Sequence, residues 1–269
     1  MNTPVLRNQL AATLRSGGVG LGLLVRVVTE PELALAARTC GWDAINIDLQ
    51  HSAIPDEAAA RLCLAALGAG VTPIARMPGL DPSHIARILD CGALGVVIPD
   101  VDTPEQARAA VRAARFRPLG ERSVANSWPH FGFANLPAEE MRETLNRETL
   151  VAVMVESPAA IENVDAIAAV DGVDILHIGT NDYAEACSIR GDFGHPKIFD
   201  AYQRLIAACQ RHGKIPGVGG LAGEQELIAR VIAMGARFLT AGNEWGLMMQ
   251  AMKQRVAALR AVADRVRSA

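Results

Sequence analysis

The chain is predicted to fold as a (β/α)8 barrel, and three features of it point there. Apolar, β-branched runs alternate with helical patterns from end to end, the alternation repeats eight times, and polar residues gather where the runs finish. The 269 residues are 50% hydrophobic, enough for one large core. No linker or low-complexity tract divides them, so residues 1–269 read as a single domain.

The first strand is expected over 20–27, with a helix opening at Pro31 and closing at Gly41. The second covers 43–49 and precedes a helix over 55–68; the third covers 72–77. Asp81-Pro82 then supply an N-cap and a first helical residue, and that helix ends near Cys91-Gly92. The fourth strand, 95–99, leads to a helix starting at Thr103-Pro104-Glu105.

After Arg115 the regularity breaks. Residues 117–137 hold Pro118, Gly120, Trp128, Pro129, Phe131, Gly132, Phe133 and Pro137, and form a long irregular excursion. A helix near 138–147 returns the chain to a fifth strand, 150–156, followed by Ser157-Pro158 and an alanine-rich helix. The sixth, seventh and eighth strands cover 174–180, 214–220 and 237–243. The last helix, 244–266, is longer than one barrel strand needs, and is expected to reach a neighbouring subunit.

A net charge of −3 and a pI near 6.1 give no electrostatic case for nucleic acid or an anionic membrane as partner. No apolar run approaches the roughly 20 residues of a spanning helix, and residues 1–7 lack an apolar leader segment, so a soluble, cytoplasmic protein is expected. The cysteines (40, 63, 91, 187 and 209) are odd in number and without CxxC spacing, as reduced structural thiols would be.

In such barrels the chemistry sits at the C-terminal strand ends. There the chain places Arg26, Asp48 with Gln50-His51, Arg76, Asp100, Glu156 and Asn181-Asp182, while the strand interiors read as almost wholly apolar. Glu156 and Asp182, 26 positions apart on successive strands, are the candidate metal ligands. Two carboxylates completed by water and substrate oxygens suit Mg²⁺ or Mn²⁺. The competing reading makes Asp182 a helix cap and Glu156 the partner of a rim arginine. Arg76, before Met77-Pro78, is placed to hold an oxyanion or carboxylate, or else to form a surface ion pair.

His51 is the candidate proton carrier. His177 is read either as a core histidine or as facing the helix layer. Lysines stand at 197, 214 and 253 only, none at a strand's C-terminal end, which disfavours imine chemistry. Walker, dinucleotide and GxSxG motifs are absent. Gly217-Val218-Gly219-Gly220 reads as an anion cradle or a close-packed turn.

Six segments, in this order and spacing, resemble the HpcH/HpaI aldolase family, the metal-dependent 2-oxo-acid aldolases grouped with the citrate lyase β subunit. They are Ile47-Asp48-Leu49-Gln50-His51, Ala75-Arg76-Met77-Pro78, Leu89-Asp90-Cys91-Gly92, Pro118-Leu119-Gly120-Glu121-Arg122, Val155-Glu156-Ser157-Pro158 and Ile178-Gly179-Thr180-Asn181-Asp182, with Gly194-His195-Pro196 behind. The resemblance implies a barrel of the phosphoenolpyruvate/pyruvate type and a divalent cation (Mg²⁺, Mn²⁺ or Co²⁺) on Glu156 and Asp182. It makes Arg76 the enolate-stabilising arginine and His51 the catalytic histidine, with Asp90 approaching that histidine from a neighbouring subunit. The backbone at Asn181-Asp182 would hold the pyruvate carboxylate. A trimer-based homo-oligomer, often a hexamer, that exchanges its final helix is also implied. Gln50, Met154, Ser123 and Arg26 depart from common family residues. Arg26 is a candidate for a distal carboxylate or sugar-acid group of the substrate.

The expected activity is therefore reversible cleavage of a 4-hydroxy-2-oxo acid to pyruvate and an aldehyde, with small-molecule 2-oxo acids and aldehydes as partners. A CoA-thioester lyase, a 2-oxo-acid decarboxylase and a catalytically silent metabolite-binding barrel are the alternatives. Trp128, Phe131 and Phe133 would either close over the aldehyde or pack on the barrel.

Overall fold

The structure is a computed structural model and describes residues 6–125 and 127–268. Residues 1–5, which the expectation about a leader covers in part, residue 126 of the excursion and residue 269 lie outside these.

Eight parallel strands close into a barrel in sequence order, β8 pairing back onto β1. They are β1 (Gly20–Val25), β2 (Ala44–Asp48), β3 (Thr72–Arg76), β4 (Gly95–Ile98), β5 (Leu150–Val155), β6 (Ile175–Gly179), β7 (Ile215–Gly219) and β8 (Phe238–Thr240). The first helices are α1 (Gln9–Arg15), α2 (Glu32–Cys40), α3 (Asp56–Ala69), α4 (Pro82–Asp90), α5 (Pro104–Ala114) and α6 (Ala138–Glu148). After β5 come α7 (Pro158–Glu162), α8 (Val164–Ala168), α9 (Thr180–Ala186), α10 (Pro196–His212), α11 (Gln225–Met234) and α12 (Glu244–Arg267). No described helix is long and apolar enough to cross a membrane.

The punctuation predicted from sequence forms as hydrogen bonds. Asp81 accepts from the Ser83 N–H, and Thr103 and Gln106 close a capping box. α3 runs through Gly68 and stops two residues later, where Gly70 turns left-handed at φ 71°. The helix predicted after β5 breaks at Asn163 into α7 and α8.

Two apolar layers hold the barrel. The larger lies between the strands and the outer helices. The smaller fills the interior with Ala44, Ile74, Val97, Ala152, Ile175 and Phe238, and α1 plugs it from beneath through Leu10 and Leu14. That helix precedes the first predicted strand and was not expected; its task is to seal the end of the barrel away from the chemistry.

The excursion settles against that same lower end. Trp128 and Phe131 are buried with Leu6, Leu94, Phe116 and Leu145, and the His130 ring reaches the Ala93 carbonyl just before β4. For these two aromatics the lid reading is therefore corrected to core packing; Phe133 stays exposed. The Arg122 guanidinium stacks 4.6 Å from the Phe116 ring and 4.9 Å from that of Trp128, fixing the segment.

Candidate active site

The strand ends meet around a cavity of about 290 Å³ lined by Arg26, His51, Arg76, Asn181 and Asp182, all five predicted from sequence. Its size suits a small metabolite.

Its most rigid part is built on Asp48. β2 and β3 are in register so that Asp48 stands opposite Arg76. The guanidinium grips the carboxylate with two hydrogen bonds, Nε to Oδ1 at 3.0 Å and Nη2 to Oδ2 at 2.6 Å. Asp48 Oδ1 also accepts the Gln50 and His51 backbone N–H groups at 3.1 Å each. Burial alone would raise the Asp48 carboxyl. The hydrogen bonds and charge of Arg76, with the backbone donors, outweigh it and hold the group below the ordinary aspartate range.

Arg26 joins from β1, with Nε 3.2 Å from Asp48 Oδ2 and Nη2 donating to the His51 carbonyl at 2.8 Å. Its backbone is fixed in turn by Glu244, the first residue of α12. Glu244 Oε1 accepts the N–H groups of Arg26, Val27 and Val28 at 2.8, 2.6 and 3.0 Å. Asp48 is the residue to which sequence reasoning gave no role; its signal was a carboxylate ending a strand between two arginine-bearing ones.

Across the mouth, Glu156 leaves β5 beside the end of β6, where Val155 pairs with Ile178. Its carboxylate lies over Gly179 so closely that any side chain there would collide with it. Glu156 is 8% exposed and accepts the Asp100 N–H at 3.3 Å; Asp100 turns left-handed at φ 54°. Burial chiefly, and then the carboxylates of Asp182 and Asp100, push Glu156 up to about 7 against the Asp100 N–H and the charge of Arg76. Asp182 sits in the first turn of α9, and no side chain caps that helix, so its carboxylate is not spent on capping. Thr180, fully buried, anchors the turn through a 2.8 Å hydrogen bond with Tyr202.

Among the described residues no group of three or more His, Cys, Asp or Glu gathers as metal ligands. Two adjacent carboxylates are what the chain itself offers. A buried Glu156 crowded by the charge of an exposed Asp182 fits a hard cation that draws its remaining ligands from water and substrate.

Asp90 is elsewhere in the chain, at the end of α4, with Arg122 Nη2 2.6 Å from its Oδ1. Burial pushes its carboxyl up, opposed by Arg122. Lys214, at the start of β7, donates to the Val170 and Val173 carbonyls, away from the cavity.

The HpcH/HpaI aldolase/citrate lyase family model matches residues 24–251. The chain belongs to this family. Its relatives include a 4-hydroxy-4-methyl-2-oxoglutarate aldolase of Hapsidospora irregularis, 36% identical over 90% of each chain. A 5-keto-4-deoxy-D-glucarate aldolase of Salmonella gallinarum is 32% identical, covering 91% of this chain and 94% of its own. The crystal structure of an HpcH/HpaI aldolase from Desulfitobacterium hafniense superposes with a TM-score of 0.87 at 28% identity, covering 93% of this chain and 95% of that one.

In this member of the family the barrel interior is less apolar than the sequence suggests. Asn46 and His177 point inward and line the cavity, as does Thr240. His177 therefore does not face the helix layer: it is a buried, inward histidine, its ring packed near that of Phe238. Gly217 and Gly219, read as an anion cradle or a turn, make room for its ring: a Cβ on Gly219 would lie 2.7 Å from His177 Nε2. Close approach explains these glycines.

Proposed function

We propose that the protein is a divalent-metal-dependent class II aldolase, a carbon–carbon lyase that cleaves a 4-hydroxy-2-oxo acid reversibly to pyruvate and an aldehyde. One observation supports this reading: Asp182 lines a single small cavity together with the Asp48-clamped Arg76, and the buried Glu156, which is not part of that lining, stands beside it at the end of the adjacent strand, over Gly179 of the cavity wall.

Glu156 and Asp182 would hold the cation, Mg²⁺, Mn²⁺ or Co²⁺, which when bound supplies Lewis-acid stabilisation of charge on the keto oxygen. The Asn181-Asp182 backbone holds the substrate's C1 carboxylate. Arg76, kept still by Asp48, turns its remaining N–H groups to the same keto oxygen. His51 takes the proton from the C4 hydroxyl, supported by Asp90 of the partner subunit. The C3–C4 bond then breaks, its electron pair forms the C2–C3 double bond of the enolate, and C4 leaves as the carbonyl of the aldehyde. A proton added to C3 releases pyruvate.

Arg26, 41% exposed at the rim, would take a distal carboxylate. The substrates named for the two relatives, a methyl-oxoglutarate and a keto-deoxyglucarate, are both dicarboxylic acids. A CoA-thioester substrate is disfavoured, because among the residues lining the cavity Arg26 and Arg76 have assigned roles and no further Lys or Arg offers a basic groove for the CoA phosphates.

The working form is a homo-oligomer, trimer-based and hexameric, with α12 exchanged between subunits. The chain exposes 13048 Å², against about 11,300 Å² for a compact monomer of this mass. α12 carries exposed Trp245, Met248, Met252, Val256, Leu259 and Val266.

The test is pyruvate release from a panel of 4-hydroxy-2-oxo acids, with EDTA and with added Mg²⁺, Mn²⁺ or Co²⁺. Release that EDTA abolishes and a cation restores is expected. No release from any member, or release indifferent to EDTA, would overturn the proposal.

A further inference from the structure

β8 ends at Thr240, yet the hydrogen bonding of β1 continues past it towards the rim. The Leu24 N–H donates to the Gly242 carbonyl at 3.2 Å. The N–H groups of Arg26, Val27 and Val28 then converge on Glu244 Oε1. Successive backbone donors turned onto one oxygen make an anion nest, and here the anion is supplied by the chain itself.

Glu244 is well placed to hold that loop still. It is 7% exposed and is the one buried residue of α12, so the helix meets its own barrel through this side chain. The turn that carries it is fixed as well. Asn243 caps the helix by accepting the Gly246 N–H at 2.7 Å, and it bridges across to Leu24 of β1. From Trp245 onward the helix runs out into solvent.

The loop has little else to hold it. Val27 is 51% exposed, so no apolar packing pins it from outside. Arg26 has only a loose 3.2 Å contact with Asp48, whose carboxylate Arg76 already grips with two hydrogen bonds, and one further bond to the His51 carbonyl. A long side chain that is 41% exposed reaches a fixed point in the cavity only if its backbone is fixed first. Without the Glu244 carboxylate, three N–H groups lose their acceptor and the loop must shift to find water.

We propose that Glu244 is a positioning residue for the charged end of the substrate: it sets Arg26 at the cavity rim, and so ties selection of a dicarboxylic acid to the seating of α12. This rests on the assignment of Arg26 made above and goes beyond it in naming what places that arginine.

The test compares two 4-hydroxy-2-oxo acids on the cation-loaded protein, one with a distal carboxylate on C4 and one with a methyl group there. The readout is the ratio of their kcat/KM values, followed as pyruvate release. Glu244→Ala and Arg26→Ala are each expected to lower the ratio by about tenfold, through KM rather than kcat. In the double variant the ratio should fall no further than in Arg26→Ala alone. Glu244→Gln, whose amide oxygen can accept the same N–H groups, should keep it within about threefold of wild type. Thermal melts would establish folding. Should Glu244→Ala not fold, Glu244→Asp takes its place: it keeps the charge, shortens the arm by one methylene, and is expected to lower the ratio in the same sense.

A folded Glu244 variant with the wild-type ratio, where Arg26→Ala lowers it, would overturn the proposal and leave Glu244 a structural anchor only. A further fall in the double variant, as large as in Glu244→Ala alone, would overturn it too, since the effect would not pass through Arg26. An unchanged ratio in Arg26→Ala would bring down the Arg26 assignment and this inference together, while the aldolase reading stands on the pyruvate released. Release from neither substrate by the wild type would bring down that reading as well.

Discussion

Replacing Glu156 by Gln should make the cation-free protein more stable, although it removes a residue of the site. In the fold this carboxyl rises from 4.5 to about 7 because burial and the neighbouring acids disfavour its charge. Each unit is worth about 1.4 kcal/mol, so holding Glu156 ionised costs on the order of 3 kcal/mol. Between pH 4.5 and about 7 the folded chain carries a proton that the unfolded chain has lost. Stability therefore falls as pH rises through that window, and the full deficit applies above it. The amide escapes the cost. At about pH 8 without divalent cations, Glu156→Gln is expected to melt roughly 6 °C or more above wild type. The gap should narrow on acidification towards about pH 5. Differential scanning calorimetry in EDTA across that range would show it. A variant no more stable than wild type at the alkaline end, or an advantage independent of pH, would refute the claim that crowded charge at this carboxylate is held at a cost.

Asp48→Asn breaks a buried, doubly hydrogen-bonded ion pair; denaturant unfolding should register a loss of about 3 kcal/mol. The same change should lower kcat by about a hundredfold or more, because Arg76 is no longer fixed. Arg26→Ala should raise KM for dicarboxylic substrates by about tenfold while sparing those with an uncharged aldehyde end; parallel kinetics on the two classes check this. Met252→Asp with Leu259→Asp places charge on the exposed apolar face of α12. Light scattering should then report a smaller particle than the oligomer proposed for the wild type.

The alternation of strands and helices was legible in the sequence because each parallel strand is buried on both faces and so reads as a continuous apolar run. Caps such as Asp81-Pro82 and Thr103-Pro104 were equally plain, since their hydrogen bonds are made within a few residues. The rim acids and arginines stood out as polar groups ending apolar runs. What stayed hidden depends on partners distant in sequence. Asn46 and His177 look like isolated polar residues in strands until closure sets them on one floor, with Gly217 and Gly219 cut back to admit the ring. Trp128 and Phe131 gave no sign of which end of the barrel they cover; that is decided by Leu94, Leu145 and the Arg122 stack. α1 was missed because a short amphipathic segment before the first strand carries no barrel periodicity.

The most direct test of the central idea, that Glu156 and Asp182 together hold a catalytic cation, is a Mn²⁺ titration followed by EPR on wild type, Glu156→Gln and Asp182→Ala at several pH values. One site per chain is expected in the wild type, weakening below about pH 7 as a proton competes for Glu156, and lost in both variants. Unchanged stoichiometry and affinity in either variant would contradict it.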